Sequence, residues 1–168
     1  FYDMLSGLPK YNYIHSFNSK GLPDTLDVDP LIGYRITVHT IPPVFKDSVK
    51  LTPGKHNIVG IDAPQGYLTF KAAGNSSIKY LPCIIRKNGN QETINVQQFD
   101  QTEKYLTGSY NVEILCLPRI RVTDVDIQQS HTTTVEIPLP GIAVIQKSTN
   151  GYGSIYLEQN GNLEWLYN

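Results

Sequence analysis

The sequence predicts an all-β chain of tandem small antiparallel β-sandwiches, and three observations carry that reading. Short runs alternate apolar and polar residues every second position, as in Tyr34-Arg35-Ile36-Thr37-Val38 and Asp124-Val125-Asp126-Ile127. Turn residues punctuate them at intervals typical of antiparallel sheets, with 13 Gly and 11 Pro in 168 residues. One pattern of strands and turns also occurs twice, which predicts a duplicated unit.

The duplication aligns Tyr34–Lys71 with Tyr110–Lys147, 76 residues on (34 to 110). Tyr34, Ile36 and Val38 fall on Tyr110, Val112 and Ile114, and Ile41-Pro42 falls on Leu117-Pro118. Val44, Val49 and Leu51 fall on Ile120, Val125 and Ile127, while Val59 and Ile61 fall on Val135 and Ile137. Pro64-Gln65-Gly66 meets Pro140-Gly141 with a one-residue gap. Further on, Asn88-Gly89 recurs as Asn160-Gly161, each between alternating runs. Asn-Gly favours positive φ at both central turn positions, so each pair predicts a hairpin.

The expected organisation is therefore an extended lead-in over 1–33, a first sandwich over 34–109 and a second over 110–168. The lead-in carries Gly7-Leu8-Pro9, Gly21-Leu22-Pro23 and Asp29-Pro30 without a sustained period, with a short helical turn near Tyr2–Leu5. Asp100 and Glu103, three apart and ahead of Tyr105-Leu106 and Gly108, read as a capping box with a glycine stop, which predicts one short connecting helix at Asp100–Leu106. The second unit has no counterpart of Phe99–Ser109, and the chain opens on Phe. Both features predict a piece of something longer.

Composition narrows the function classes. Fourteen basic and fifteen acidic residues leave a formal charge of −1, which argues against a nucleic-acid binder held by phosphate neutralisation. Mean hydropathy is −0.26, and no apolar run nears the ~18 residues of a membrane span.

The search for chemistry returns no candidate catalytic, cofactor-binding or metal-ligating residue, so the expectation is a non-enzyme with no cofactor. His15, His39, His56 and His131 show no metal-ligand spacing and read as surface or hydrogen-bonded residues. Asp24, Asp27 and Asp29 lie close enough to suggest Ca²⁺, but they lack the spacing and glycine of a calcium loop and read as a solvated acidic linker. No nucleophile elbow, phosphate loop or dinucleotide fingerprint occurs, and Ser130-His131 side by side is no triad.

Cys83 and Cys116 sit in apolar strands at non-equivalent repeat positions. They read as buried free thiols, with a bridge between the units as the alternative. Seventeen aromatics, Trp165 and eleven tyrosines among them, raise a glycan-stacking alternative, although tyrosines at strand ends usually pack the ring and leave the hydroxyl wet. Asn75-Ser76-Ser77 fits a glycosylation sequon.

Several phrases carry a resemblance. They are Asp24-Thr25-Leu26-Asp27-Val28-Asp29-Pro30, Val38-His39-Thr40-Ile41-Pro42-Pro43-Val44, Leu51-Thr52-Pro53-Gly54-Lys55-His56 and Ala63-Pro64-Gln65-Gly66-Tyr67-Leu68. With Lys104–Tyr110 and Leu117-Pro118-Arg119-Ile120, they resemble the β-rich C-terminal region of bacterial envelope or secreted proteins that carry a von Willebrand factor A domain. The D-x-S-x-S metal motif of the A domain itself is absent here. The Pro–Gly–Tyr turns are also similar to small carboxypeptidase-regulatory-like sandwiches. The resemblance implies a non-catalytic, extracytoplasmic module of a bacterial protein with a structural or adhesion-type role, accessory to the A domain. Its implied partner is a protein or a neighbouring domain of the same parent chain, with carbohydrate binding as the alternative.

Overall fold

The computed structural model describes residues 1–74, 80–138, 141, 144–146, 148 and 150–168. The sequon at Asn75-Ser76-Ser77 and the Pro140 end of the repeat alignment lie outside them. The described chain is all-β and divides into two compact units, Phe1–Ala63 and Pro64–Asn168.

The first unit holds one sheet, β1 (Tyr2–Asp3), β2 (Tyr34–Val38) and β3 (Val44–Val49), with β2 in the middle. Alternation along β2 sends Tyr34 and Ile36 inward. There they meet Val49 and collect Phe1, Tyr11, Val28, Ile32, Val59 and Ile61 around them. Phe1 stands edge-on to Tyr34 at 6.0 Å between ring centres, a favoured aromatic geometry. Residues 1–33 are therefore not a lead-in, because Phe1, Tyr11, Val28 and Ile32 belong to this core. Near the helical turn expected at Tyr2–Leu5, Tyr2–Asp3 form β1, and a single turn follows in which the Gly7 N–H donates to the Asp3 carbonyl at 2.8 Å, four residues back.

The second unit contains a sandwich. One layer is β10 (Thr132–Ile137), β4 (Gln65–Ala72) and β7 (Glu103–Leu106). The other is β6 (Thr93–Gln98), β5 (Pro82–Lys87), β8 (Gly108–Ile114) and β9 (Ile120–Ile127). Leu68, Phe70, Cys83, Ile85, Tyr105, Val112, Ile114, Val125 and Ile127 fill the space between the layers. A buried polar bridge joins the layers: Gln97 Nε2 donates to the carbonyls of Leu68 (3.0 Å) and Gln101 (2.8 Å), while Tyr105 Oη donates to Gln97 Oε1 (3.0 Å). Gly66 is required by close approach, since a Cβ there would lie 2.1 Å from the Gln128 carbonyl oxygen.

The structure departs from the expected architecture in three further places. Residues 103–106 form β7 rather than a helix. Tyr105 is fully buried, and Gln65 to Leu68 offer a strand edge whose pairing outweighs the local cap. β10 runs parallel to β4, which is possible because the first and last strands of this sandwich are not joined by a hairpin. The boundary expected between 109 and 110 falls inside β8, a central strand, whereas the compact units meet at 63 and 64.

The β2–β3 and β8–β9 hairpins share one register. Tyr34 pairs with Val49, Ile36 with Lys46, Thr37 with Phe45 and Val38 with Val44. At the positions 76 residues on (34 to 110), Tyr110 pairs with Val125, Val112 with Val122, Glu113 with Arg121 and Ile114 with Ile120. Both have an irregularity at the same place, with Ser48 at φ 57° and its counterpart Asp124 at φ 58°. Both turn through a cis Xaa-Pro bond, Ile41–Pro42 and Leu117–Pro118. Each buried leading tyrosine donates its hydroxyl to a nearby upstream carbonyl: Tyr34 to Asp29 and Tyr110 to Leu106, both at 2.8 Å. β1 also pairs with β2 (Asp3 with Tyr34) where the end of β5 pairs with β8 (Lys87 with Tyr110).

A further sheet in the second unit is the hairpin of β11 (Ile155–Gln159) and β12 (Asn162–Tyr167). Its turn is the expected Asn-Gly, with Asn160 and Gly161 both at positive φ. The other Asn-Gly pair builds a longer loop. There Gly89 alone takes positive φ, while the Asn88 amide donates to Asp124 Oδ1 at 2.6 Å. Tyr156 stands opposite Trp165 as Ile84 stands opposite Val96.

Candidate functional site

The residues singled out in the sequence are mostly dispersed. His15 Nδ1 lies 3.3 Å from Asp24 Oδ1, and its ring packs against Phe17. Asp24 also accepts from the Ser16 hydroxyl at 2.6 Å, and that bond leads the effects holding its carboxyl well below the usual range. Asp29 turns its carboxylate back to the Leu31 N–H at 2.9 Å. Among the described residues, no three His, Cys, Asp or Glu side chains stand where they could share a metal ion. His39 borders a shallow depression with Phe1, Tyr11 and Tyr13, His56 is exposed, and His131 Nδ1 lies 2.7 Å from the Gln129 carbonyl.

Cys83 and Cys116 are both free thiols. Cys83 is buried, and burial pushes its thiol up to about 12, so it stays protonated and unreactive at neutral pH. Tyr34 and Tyr110, which lead the two hairpins of like register, are buried, whereas Tyr156, Trp165 and Tyr167 on the last hairpin are exposed. Trp165 Nε1 donates to Asn168 Oδ1 at 3.1 Å.

The most organised charged group lies elsewhere, on the outer face of the four-stranded sheet of the second unit. β8 alternates, so Val112 and Ile114 point into the core and Glu113 points out. Glu113 is nevertheless only 7% exposed, because three arginines close over it. Arg86 Nη1 donates to Oε2 at 3.0 Å and Arg119 Nη1 to Oε1 at 3.1 Å, while Arg121 Nε stands 3.6 Å from the same Oε1. The Arg86 and Arg119 bonds hold the Glu113 carboxyl below its usual range, so it is ionised at neutral pH.

Three guanidinium cations around one carboxylate leave two positive charges unmatched within the cluster. Arg119 and Arg121 lie mostly in solvent, at 56% and 66% side-chain exposure. Chemically, the arrangement can hold an anion on its two unmatched guanidinium groups.

Sequence reasoning missed this cluster. The signal available was Arg119-Ile120-Arg121, two cations on one strand face just past the Leu117-Pro118 turn, with Glu113 at the mirror position before it.

No protein-family profile matches the chain, and neither curated proteins nor solved structures provide a match. Among the described residues, no helix is long and apolar enough to cross a membrane.

Proposed function

We propose that this chain is a non-catalytic, extracytoplasmic β-sandwich module of a bacterial protein, with a structural or protein-interaction role of the adhesion type, accessory to a von Willebrand factor A-type domain. The carrying observation is the twice-built hairpin, in which residues 34–49 and 110–125 share register, irregularity and tyrosine anchor. It supports a tandem-repeat reading in which one sandwich is used again along the chain. β1–β3 then correspond to the end of β5, β8 and β9, and β11–β12 correspond to β5–β6. Repetition of a small sandwich suits a module that spaces and presents a neighbouring domain, because each copy adds length and surface without new chemistry.

The test is made in the parent protein. Excising residues 1–168 should leave the A domain folded and able to bind its divalent metal, while capture of the parent's protein partner falls by about tenfold or more. Partner capture unchanged by the excision overturns the proposal.

A glycan-binding reading draws on one observation, the exposed Tyr156 opposite Trp165 with Tyr167 two residues on. A glycan array probed with the chain and with Trp165→Ala tests it. Signal that is lost in the variant would favour this reading over the first.

A further inference from the structure

We infer that the outer face of the β6-β5-β8-β9 sheet is a docking site for an acidic, partly apolar peptide segment of a partner protein. Arg119 and Arg121 would receive its carboxylate, and Val96 and Ile84 its apolar side chain. The inference rests on the protein-interaction reading above and names the surface and the chemistry.

Register places these groups in one line across the sheet. Val96 is opposite Ile84, Ile84 opposite Glu113, and Glu113 opposite Arg121. Val96 is 52% exposed although it is aliphatic, and it stands on the edge strand β6. At the other end of the line is the edge strand β9, with Arg121 on it and Arg119 just ahead of its first residue. One row therefore runs from an apolar end to a cationic end.

Charge selects the partner's sign. Among the described residues Glu113 is the carboxylate paired with these three arginines, and Asp124, on the same strand as Arg121, is engaged by the Asn88 amide at 2.6 Å. Each guanidinium carries five N–H donors, and Glu113 takes one from Arg119 and one from Arg86. Even the buried Arg86 Nε has no hydrogen-bond partner among the described residues. Glu113 thus acts as an organiser. It fixes the guanidinium groups in place, so that an incoming carboxylate meets preset donors and orders fewer side chains on binding.

Spacing selects a peptide. Val96 and Arg121 are three strands apart, about 14 Å at the usual strand separation. An extended chain covers that distance in about four residues, and side chains four apart point to the same face. The recognised pattern is therefore an apolar residue followed or preceded, four positions away, by Asp or Glu. A free phosphate or a headgroup would use the arginines and leave Val96 and Ile84 unused.

The test uses the whole chain and a fluorescein-labelled ten-residue peptide with Leu and Glu four positions apart, beside the same peptide with Gln for Glu. The acidic peptide should bind at least about tenfold more tightly than its Gln analogue, with affinity falling as salt rises. Arg119→Gln with Arg121→Gln should abolish that preference, and Val96→Ser should weaken the acidic peptide about three- to fivefold. All three positions are exposed, so a cooperative thermal transition, lowered no more than that of Glu113→Gln, checks that the variants fold.

Equal binding of the two peptides, or no binding at about 1 mM, overturns the site. Inorganic phosphate or anionic phosphatidylserine vesicles displacing the peptide, with Val96→Ser without effect, overturns the peptide assignment. If the parent loses its partner on excision of residues 1–168 but keeps it in the double arginine variant, this site fails while the interaction reading stands.

Discussion

The β2–β3 and β8–β9 hairpins share their inward faces and differ outside. Tyr34, Ile36 and Val49 in the first unit match Tyr110, Val112 and Val125 in the second, and all six are buried. Outward, Thr37 opposite Phe45 in the first unit stands where Glu113 opposite Arg121 stands in the second. Arg35 in the first unit is bonded to Asp47 and leans over Phe45, whereas its counterpart Asn111 accepts from the Asp124 N–H at 3.2 Å. Strand geometry explains the division. Residues at one parity set packing, and those at the other are free to carry recognition.

The sharpest way to break the likeness is at the glycines. Gly66→Ala in the second unit would drive a Cβ to 2.1 Å from a backbone oxygen and 2.9 Å from Ile127 Cγ2, so β4 must move off β9. A loss of about 3 kcal/mol is expected from urea unfolding of that unit. Gly60→Ala in the first unit meets open space at an ordinary φ and should change stability by less than about 0.5 kcal/mol. Equal effects at the two sites would mean that the β4 approach is not tight.

Gln97→Leu comes next. The change puts an apolar side chain where the second unit's sandwich holds a buried amide. There it strips the Leu68 and Gln101 carbonyls of a donor and Tyr105 Oη of its acceptor. The expected cost is about 2 kcal/mol, with faster hydrogen exchange in β4 and β7. A neutral outcome would show the bridge to be replaceable by packing alone.

Much of the fold was legible because the alternation is local. Ile36 and Val38, Val125 and Ile127, and the Asn160-Gly161 turn announce their strands within a few residues. The errors arose where a distant partner decides. The cap at Asp100 and Glu103 is a sound local signal, but Tyr105 is claimed by the sandwich interior. An alignment of Tyr34 with Tyr110 reports a spacing and leaves open which strand comes first, so the boundary it suggests at 109 and 110 cuts β8. The Glu113 cluster was half visible, since the turn at Leu117-Pro118 pairs Glu113 with Arg121. Arg86 arrives from β5, and nothing local says that β5 lies beside β8.

Removing the tyrosine hydroxyls sharpens the comparison at smaller amplitude. Tyr34→Phe and Tyr110→Phe each delete one 2.8 Å bond to a backbone carbonyl and keep the packed ring. Each should cost about 1 kcal/mol, confined to its own unit when hydrogen exchange is read separately over β2–β3 and β8–β9. Markedly unequal costs would mean that the shared geometry is not equally important in the two places.

The smallest effect is the one that depends on pH. The Glu113 carboxyl is held below its unfolded value near 4.3, first by Arg86 and then by Arg119, so the folded state binds its proton less readily than the unfolded state. Its contribution is fully present above that unfolded value and disappears as pH falls through the lower folded one. Glu113→Gln should therefore lower the stability of the second unit at pH 7. The deficit should shrink toward zero as pH falls below about 4, because the wild-type chain loses the same ion pairs there. The first unit has Thr37 at the matching position and should show no such convergence. Unfolding curves at neutral and acid pH, with exchange read over β8 and β3, separate the cases. A deficit of constant size at every pH would assign Glu113 a packing role rather than an ionic one.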